Sequence, residues 1–125
     1  MVHIVCSSVS NFDDSLASAI EKAGSKPLVL MFTGAIITET GRSWCPDCTA
    51  AAPVIKAECN KVEGSVLLEI PITREDFTNQ DLMYRTRSDL AIKCVPTTMR
   101  WGTQNKLDDS QSQKQELVAM LLEDL

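Results

Sequence analysis

The segment Ser43-Trp44-Cys45-Pro46-Asp47-Cys48 contains the residue types that thiol–disulfide chemistry requires. Two cysteines separated by two residues can form a dithiol in which one sulfur attacks a disulfide and the other resolves the mixed disulfide that results. The attacking sulfur must be exposed and partly ionised, because the thiolate is the nucleophile. The sequence therefore predicts a redox-active pair formed by Cys45 and Cys48.

The elements that flank this pair must position it. An apolar run over residues 28–32 suits a buried strand, and a helix over residues 45–62 is predicted to follow. Cys45 then lies at the helix N-terminus, where free N–H groups and the helix dipole favour a negative sulfur. Pro46 fits the first turn, since its missing N–H would be unpaired there. The carboxylate of Asp47 opposes the thiolate form, and we expect the helix terminus to dominate.

The predicted helix also assigns different roles to the two cysteines. One apolar stripe at helical spacing faces the core and contains Cys48, so we expect Cys48 to be the more buried, resolving thiol. Cys45 is left at the rim as the attacking thiol. Pro53 inside this segment indicates either an early helix end or a kink. The kink is favoured because the stripe continues beyond it, through Cys48, Ala51, Ile55, Cys59 and Val62.

A Cys-x-x-Cys sequence is also half of a structural zinc site, which needs four ligands. The remaining candidates contain no second close pair, so the redox interpretation is favoured and no metal is predicted. The chain has five cysteines. An odd number without a recognisable secretory leader argues against an extracellular disulfide framework. The candidate zinc ligands outside the pair are His3, Cys6, Cys59 and Cys94.

Composition narrows the class of protein. The chain has 125 residues, a net charge of −5 and 44% apolar residues, which predicts one globular domain over residues 1–125. An acidic surface without basic clusters repels nucleic acid and anionic lipid. No apolar stretch approaches the length of a membrane span. We therefore expect a soluble cytoplasmic protein that binds neither nucleic acid nor membrane.

The chain alternates strand and helix patterns in the order βαβαβαββα. An initial strand–helix–strand unit predicts parallel pairing, and two late strands joined by a turn predict an antiparallel hairpin. The fold class is thus α/β, with a mixed central sheet and helices on both faces. The expected strands are residues 2–6, 28–32, 65–72, 98–101 and 106–107. The first expected helix runs from a Ser10 cap to Gly24 with Ile20 on its apolar face, and the others cover residues 45–62, 79–90 and 111–123. The last helix places Leu117, Leu121 and Leu125 on one stripe, with Val118 and Leu122 beside it.

Several motifs occur in the order found in thioredoxins: Trp44-Cys45-x-x-Cys48, the helix proline Pro53, and Val95-Pro96-Thr97. More closely, the chain resembles the thioredoxin-related 14 kDa protein family, also called thioredoxin domain-containing protein 17. The residues that carry this resemblance are Phe32-Thr33-Gly34, the loop that follows, the Trp-Cys-Pro-Asp-Cys motif, Trp101-Gly102-Thr103 and Lys106-Leu107.

The resemblance implies a cytosolic disulfide reductase that holds no bound cofactor. Such proteins receive electrons from NADPH through thioredoxin reductase, and they reduce a narrower set of disulfides than thioredoxin, including small ones such as cystine. Cys45 takes the nucleophilic role and Cys48 the resolving role. Pro96 takes the role of a cis-proline beside the site, with Val95 and Trp44 shaping the surface that substrate meets. We expect the protein to act as a monomer.

Three features depart from the thioredoxin pattern. Met31 occupies the place of a buried aspartate on the central strand, so proton transfer must differ. Cys94 puts a third thiol near the site, where we expect it to be partly exposed and open to regulatory oxidation, the alternative being an unreactive core thiol. A surface loop over residues 35–43 precedes Trp44, and we expect it to narrow substrate choice.

Two other functions use the same pair of cysteines. One is a peroxide or S-nitrosothiol reductase. The other is an interaction module in which the pair senses redox state and switches partner binding. Catalytic turnover of a disulfide distinguishes a reductase from a sensor, which would be oxidised only stoichiometrically.

Overall fold

The computed structural model describes residues 1–123 and contains seven strands and five α-helices there. Two short 3-10 turns, Val9–Asn11 and Gln111–Gln113, precede the first and last helices. In chain order the elements are β1 Val2–Val5, α1 Phe12–Ala23, β2 Leu28–Gly34, β3 Ile36–Ile37, β4 Arg42–Ser43, α2 Pro46–Asn60, β5 Val66–Ile72, α3 Arg74–Thr78, α4 Met83–Thr86, β6 Thr97–Arg100, β7 Lys106–Leu107 and α5 Gln115–Leu121.

Five of the strands form the central sheet, in the order β1-β5-β2-β6-β7. β1 and β2 both run parallel to β5, whereas β6 is antiparallel to β2 and β7 is antiparallel to β6. The sheet is therefore mixed, as the order of the predicted elements indicates. Every residue of β2 is buried, because this strand lies inside the sheet with both faces covered.

Helices cover both faces of the sheet, which confirms the predicted layers. On one face the rings of Phe12 in α1 and Phe32 in β2 each lie edge-on to Tyr84 in α4, with centroids 5.3 Å apart in both pairs. On the other face α2 and α5 pack over the sheet through Ile55 and Val118, which have no exposed surface. The two layers hold β2 rigidly, and β2 leads directly into the site.

The structure corrects the start and the outer face of α1. Ser10 lies inside the 3-10 turn, so the N-cap residue of α1 is Asn11. The Asn11 side chain makes no capping hydrogen bond. Ile20 was expected on the apolar face but is 43% exposed. Its position lies at the edge of the helical stripe that Leu16, Ala19 and Ala23 fill.

The predicted helix over residues 79–90 is wrong. A short helix ends at Thr78, and a second one forms only over Met83–Thr86. Thr73 begins the first of them, because its hydroxyl accepts a hydrogen bond from the Asp76 backbone N–H at 3.1 Å. Asn79 follows in extended conformation.

The last helix is shorter than predicted. Its buried residues are Val118 and Leu121, followed by Leu122 just beyond the helix, whereas Leu117 is half-buried. Leu121 of the predicted stripe is therefore buried, and the flanking residues Val118 and Leu122 supply more of the buried face than Leu117 does. Leu125, the third member of the predicted stripe, lies outside the described residues.

The segment predicted as a loop over residues 35–43 contains a small hairpin. β3 and β4 pair with Ile36 opposite Ser43 and Ile37 opposite Arg42. Gly41 closes the turn with a φ of 72°, a conformation that glycine adopts without steric cost. Within residues 1–123, no helix combines the length and the apolar composition that a membrane span requires.

Candidate active site

Cys45 is the N-cap residue of α2, as the sequence predicts. Its sulfur accepts a hydrogen bond from the backbone N–H of Cys48 at 3.2 Å, and Pro46 occupies the first turn. The Cys48 N–H, which would otherwise have no partner within the helix, therefore donates to the Cys45 sulfur. Asp47 also lies in the first turn, where it is exposed to solvent.

The two sulfurs lie 2.6 Å apart, with the Cys48 thiol placed to donate to Cys45. A negative sulfur on Cys45 would therefore receive two hydrogen bonds, one from a backbone N–H and one from a thiol. As a thiol, Cys45 is placed to donate to the Val95 carbonyl at 3.5 Å. These contacts give Cys45 a polar environment in both protonation states.

The predicted order of burial is confirmed, but the predicted exposure of Cys45 is wrong. Cys45 is 6% exposed and Cys48 is 2% exposed. Cys45 is covered because the Val95–Pro96 segment packs against it, and both of these residues are buried. The surface that solvent reaches here is formed by Trp44, which is half-buried, together with the exposed Pro46 and Asp47.

The pKa of the Cys48 thiol is raised from 9.0 to about 12, mainly by burial and also by the hydrogen bond with Cys45. The backbone N–H of Gly34, which donates to the Cys48 sulfur at 3.2 Å, and the hydroxyl of Thr33 lower this pKa, but burial dominates. Cys48 is thus held as a neutral thiol that can donate to Cys45. It can become a nucleophile only when its proton is removed.

The Val95–Pro96 peptide bond is cis and lies beside Cys45, as predicted. It precedes β6, whose first residue is Thr97. β7 pairs with β6 only at Thr98 and Met99, so the partner strand stops before the residues that face Cys45. The backbone groups of residues 95–97 are therefore not paired with β7, and they form an open strand edge next to the Cys45 sulfur.

Ser43 and Gly34 join the end of β2 to the start of α2. The Ser43 hydroxyl donates to the Gly34 carbonyl at 2.7 Å and accepts from the Cys45 N–H at 3.1 Å. A Cβ atom on Gly34 would lie 2.7 Å from Ser43 Oγ and 2.8 Å from Cys45 Cβ. Both distances are shorter than ordinary van der Waals contacts. Only glycine allows the strand to approach the cysteine this closely.

The indole of Trp44 is fixed at the opening of the site. Its Nε1–H donates to the Ile72 carbonyl at 2.8 Å, and its ring lies against Phe77 with centroids 5.6 Å apart. The Arg85 guanidinium lies over Phe77, 4.1 Å from the ring centroid. The Trp44 ring is half-buried, and its exposed part contributes to the surface beside Cys45.

The base of the 36–43 hairpin lies beside the pair of cysteines. The Ala35 N–H donates to the Ile72 carbonyl at 2.8 Å, and the Trp44 N–H donates to the Ala35 carbonyl at 3.3 Å. The side chains of Ile36 and Ile37 are 63% and 37% exposed. The hairpin thus presents apolar surface next to the site while its base is held by backbone hydrogen bonds.

The remaining candidate residues occupy distinct positions. Cys94 is partly exposed, as expected, and its sulfur lies 3.5 Å from the Thr97 hydroxyl. Cys59 is buried, and burial raises the pKa of its thiol to about 12, so it is an inert core residue. α2 continues past Pro53 to Asn60, which excludes the early helix end. Within residues 1–123, no cluster of His, Cys, Asp or Glu could hold a metal ion.

Sequence reasoning missed two contributors to this site. Ser43 was seen only as part of the motif, and its bridging hydroxyl depends on the hairpin that turns it toward Gly34. Glu69 was treated as a member of an apolar strand, although its carboxylate accepts from His3 Nε2 at 2.9 Å and lies 3.7 Å from Lys56 Nζ. A charged residue within the Val66–Ile72 run was the available signal.

Comparison with known proteins agrees with this geometry. A human protein named thioredoxin domain-containing protein 17 is 33% identical over 118 residues, which cover 91% of each chain. A rice protein (Oryza sativa subsp. japonica) named thioredoxin-like protein Clot is 31% identical over 109 residues, covering 80% of this chain and 78% of its own. The crystal structure of oxidised thioredoxin O1 from Arabidopsis thaliana has a TM-score of 0.59 at 22% identity, covers 98% of this chain and 100% of its own, and supports the fold.

The model of one protein family matches almost the whole chain. It is described as the thioredoxin domain of thioredoxin domain-containing protein 17-like proteins, and it matches residues 6–124. The match includes the cysteine pair, the cis-proline and strands β2, β5, β6 and β7 of the central sheet. The chain therefore belongs to the thioredoxin domain-containing protein 17-like family, a group of thioredoxin-fold proteins with thiol–disulfide redox chemistry.

Proposed function

We propose that this protein is a disulfide reductase whose dithiol is Cys45 and Cys48. The observation that supports this function best is the environment of the Cys45 sulfur, which faces a backbone N–H and a thiol donor on one side and the cis Val95–Pro96 segment on the other. The two donors can hydrogen-bond to the Cys45 sulfur, and the strand edge offers backbone groups to a substrate.

In the first step the Cys45 thiolate attacks one sulfur of a substrate disulfide. A Cys45–substrate disulfide forms, the substrate S–S bond breaks, and the other substrate sulfur leaves as a thiolate that takes a proton from solvent. Cys48 remains protonated during this step, because burial raises the pKa of its thiol to about 12. The two cysteines therefore do not compete for the same substrate.

In the second step Cys48 loses its proton and attacks the Cys45 sulfur of the mixed disulfide. The Cys45–Cys48 disulfide forms and the second substrate thiolate leaves, so the substrate has gained two electrons and the protein has lost two. The 2.6 Å separation between the two sulfurs means that this attack needs little movement. We propose that NADPH returns the electrons through thioredoxin reductase and that the reaction takes place in the cytosol.

The hairpin supports a restricted choice of substrate. It adds a raised apolar edge, with Ile36 63% exposed, to the surface beside a Cys45 that is itself only 6% exposed. A folded protein must fit its disulfide past this edge, whereas a small disulfide such as cystine needs little more than access to the sulfur. We therefore propose that small disulfides and a limited set of protein disulfides are the substrates.

A coupled assay tests this function. The protein is mixed with thioredoxin reductase and NADPH, and NADPH oxidation is followed with cystine and with insulin as substrates. We expect catalytic turnover by the wild type, none by Cys45→Ser, and a mixed disulfide on Cys45 that accumulates in Cys48→Ser. Cys6→Ser is the matched control, since Cys6 is buried and hydrogen-bonded to the Ser8 carbonyl away from the site.

The result that contradicts the proposal is oxidation of the pair without turnover. One equivalent of disulfide reduced per protein, with no continued NADPH consumption, would favour the redox-sensing module. Turnover with hydrogen peroxide or an S-nitrosothiol but with neither cystine nor insulin would favour the other reductase class. Equal activity in wild type and Cys45→Ser would remove Cys45 from the nucleophilic role.

A further inference from the structure

A groove of about 690 Å³ lies between the hairpin, α2 and the central strands. Most of its lining is apolar, from Met31, Ala35, Ile36 and Pro71 among others, and Cys48 lies at one part of its wall. Cys45 does not line it. The groove therefore reaches the resolving cysteine without passing the attacking one, and its volume can hold many water molecules.

Glu69 brings a carboxylate into this groove. It lies on β5 directly opposite Met31 of β2, and its neighbours along the strand, Leu68 and Ile70, are fully buried. The Glu69 side chain is 20% exposed, so it is partly enclosed while still in contact with solvent. Among the residues that line the groove within the described part of the chain, Glu69 is the one carboxylate.

Other charged and titratable groups face Glu69 from each neighbouring element. His3 on β1 donates to Glu69 Oε1 at 2.9 Å, and Lys56 on α2 lies 3.7 Å from the same oxygen. Arg42 of the hairpin and the Cys48 thiol line the same groove. The hydrogen bond with His3 orients the Glu69 carboxylate, and the Lys56 ammonium group balances its charge.

The second step of the reaction requires an acceptor for the Cys48 proton. Cys48 is 2% exposed, and its sulfur touches Cys45 and the Gly34 N–H, neither of which can take a proton during resolution. Met31 occupies the central-strand position opposite Glu69 and has no ionisable group. A proton that leaves Cys48 must therefore leave through the groove.

We propose that Glu69 accepts the proton of Cys48 through groove water during resolution of the mixed disulfide. This proposal rests on the disulfide reductase function proposed above. As the Cys48 sulfur attacks Cys45, its S–H bond breaks and the proton passes along water to the Glu69 carboxylate, which releases it to solvent afterwards. The new S–S bond forms and the substrate leaves as a thiolate, so the protons and electrons of the second step are balanced.

The two chemical steps can be measured separately with dithiobis(nitrobenzoate). The first coloured thiolate is released when Cys45 attacks this reagent, and the second is released when Cys48 resolves the mixed disulfide. Stopped-flow absorbance of wild type, Glu69→Gln and Glu21→Gln gives a rate for each phase. Glu21→Gln removes the same charge from an exposed position on α1.

We expect Glu69→Gln to slow the second phase at neutral pH by at least about tenfold, since general-base catalysis contributes about 10²–10⁴-fold. The first phase should stay within about twofold of wild type, because Cys45 does not line the groove. In the wild type the second-phase rate should fall at acid pH as the carboxylate is protonated. In Glu69→Gln the second-phase rate should instead rise about tenfold per pH unit, because hydroxide then removes the Cys48 proton.

Lys56→Met provides a second, independent test that keeps the carboxylate. This variant removes a cation 3.7 Å from Glu69 Oε1 and leaves the proposed proton acceptor in place, so the second phase should stay within about twofold of wild type. A second phase slowed as much as in Glu69→Gln would overturn the role of Glu69, because loss of a groove contact alone would then reproduce the effect.

Each outcome separates the proposal from the function on which it rests. Two phases in Glu69→Gln with an unchanged second phase would overturn the role of Glu69 and leave the reductase intact. Equal slowing of both phases would also overturn it, since that result indicates a general disturbance of the site. A single phase in the wild type, with no release by Cys48, would refute the dithiol mechanism itself.

Discussion

Native Cys48 should react with iodoacetamide much more slowly than an ordinary thiol, because burial raises its pKa from 9.0 to about 12. A rise of three units lowers the thiolate fraction about a thousandfold at neutral pH. Thiolate nucleophilicity increases with pKa with a Brønsted coefficient of about 0.4–0.5, which restores about 16–32-fold of that loss. The expected net reduction is about 30–60-fold, before any further loss from the 2% exposure of Cys48.

The assay uses Cys45→Ser protein, in which Cys48 cannot be protected by a disulfide with Cys45. The largest cause of the raised pKa is burial, which this substitution retains. The rate of Cys48 alkylation is measured by peptide mass spectrometry at about pH 7.5, and the same protein unfolded in urea supplies the reference rate. The native rate should also rise about tenfold for each unit of pH above neutral, as the thiolate fraction grows.

The reasoning is refuted if native Cys48 reacts within about threefold of the unfolded reference, or if it reacts faster than Cys45 does in Cys48→Ser protein. The first result would mean that the Cys48 thiol is not held neutral by its surroundings. The second would reverse the attacking and resolving roles. Cys59, which is also buried and whose pKa is also raised to about 12, serves as an internal comparison in the same digest.

Three further predictions follow from the same contacts. Gly34→Ala should cost about 1–3 kcal/mol of unfolding free energy and slow turnover, because its Cβ would overlap Ser43 and Cys45; urea unfolding and the coupled assay measure both. In the control Gly102→Ala, the φ of 86° strains alanine but the Cβ meets nothing within 4 Å, so stability should fall while turnover is unchanged. Replacing residues 36–42 by a short turn should raise activity on insulin more than on cystine, and equal relative changes would count against a role of the hairpin in substrate choice. Mild oxidant should modify the partly exposed Cys94 to a mixed disulfide with glutathione; mass spectrometry that finds Cys45 modified and Cys94 intact would identify Cys94 as an unreactive thiol.

The parts of the fold that the sequence predicts well are those with local signals. β2 begins with a continuous apolar run, and β5 is apolar apart from Glu69. α2 begins with a proline in its first turn and continues as an apolar stripe of Cys48, Ala51, Ile55 and Cys59. These patterns specify burial along a single element, so they do not depend on distant residues. The cis bond before Pro96 was predicted from the resemblance, since a proline alone gives a small chance of a cis bond.

The features that were missed depend on short elements or on register. β3 and β4 have two residues each, too few to show an alternating pattern, so the hairpin was predicted as a loop. The cap by Thr73 and Asp76 was overlooked, and the helix was therefore placed after Asn79 instead of before it. The contact of Glu69 with His3 joins residues 66 positions apart and exists because β1 and β5 pair in one register.

The anchoring of Trp44 gives the protein an intrinsic optical reporter of its redox state. Its indole is held by the Ile72 carbonyl and by the Phe77 ring, and its backbone directly precedes Cys45. The chain contains one other tryptophan, Trp101. A sulfur atom close to an excited indole quenches the fluorescence emission of that indole. Because the Trp44 ring is fixed, a change in its emission reports a change in the sulfur and not a rotation of the ring. In a Trp101→Phe background, fluorescence should therefore follow dithiol oxidation in real time, without a dye or a coupled enzyme.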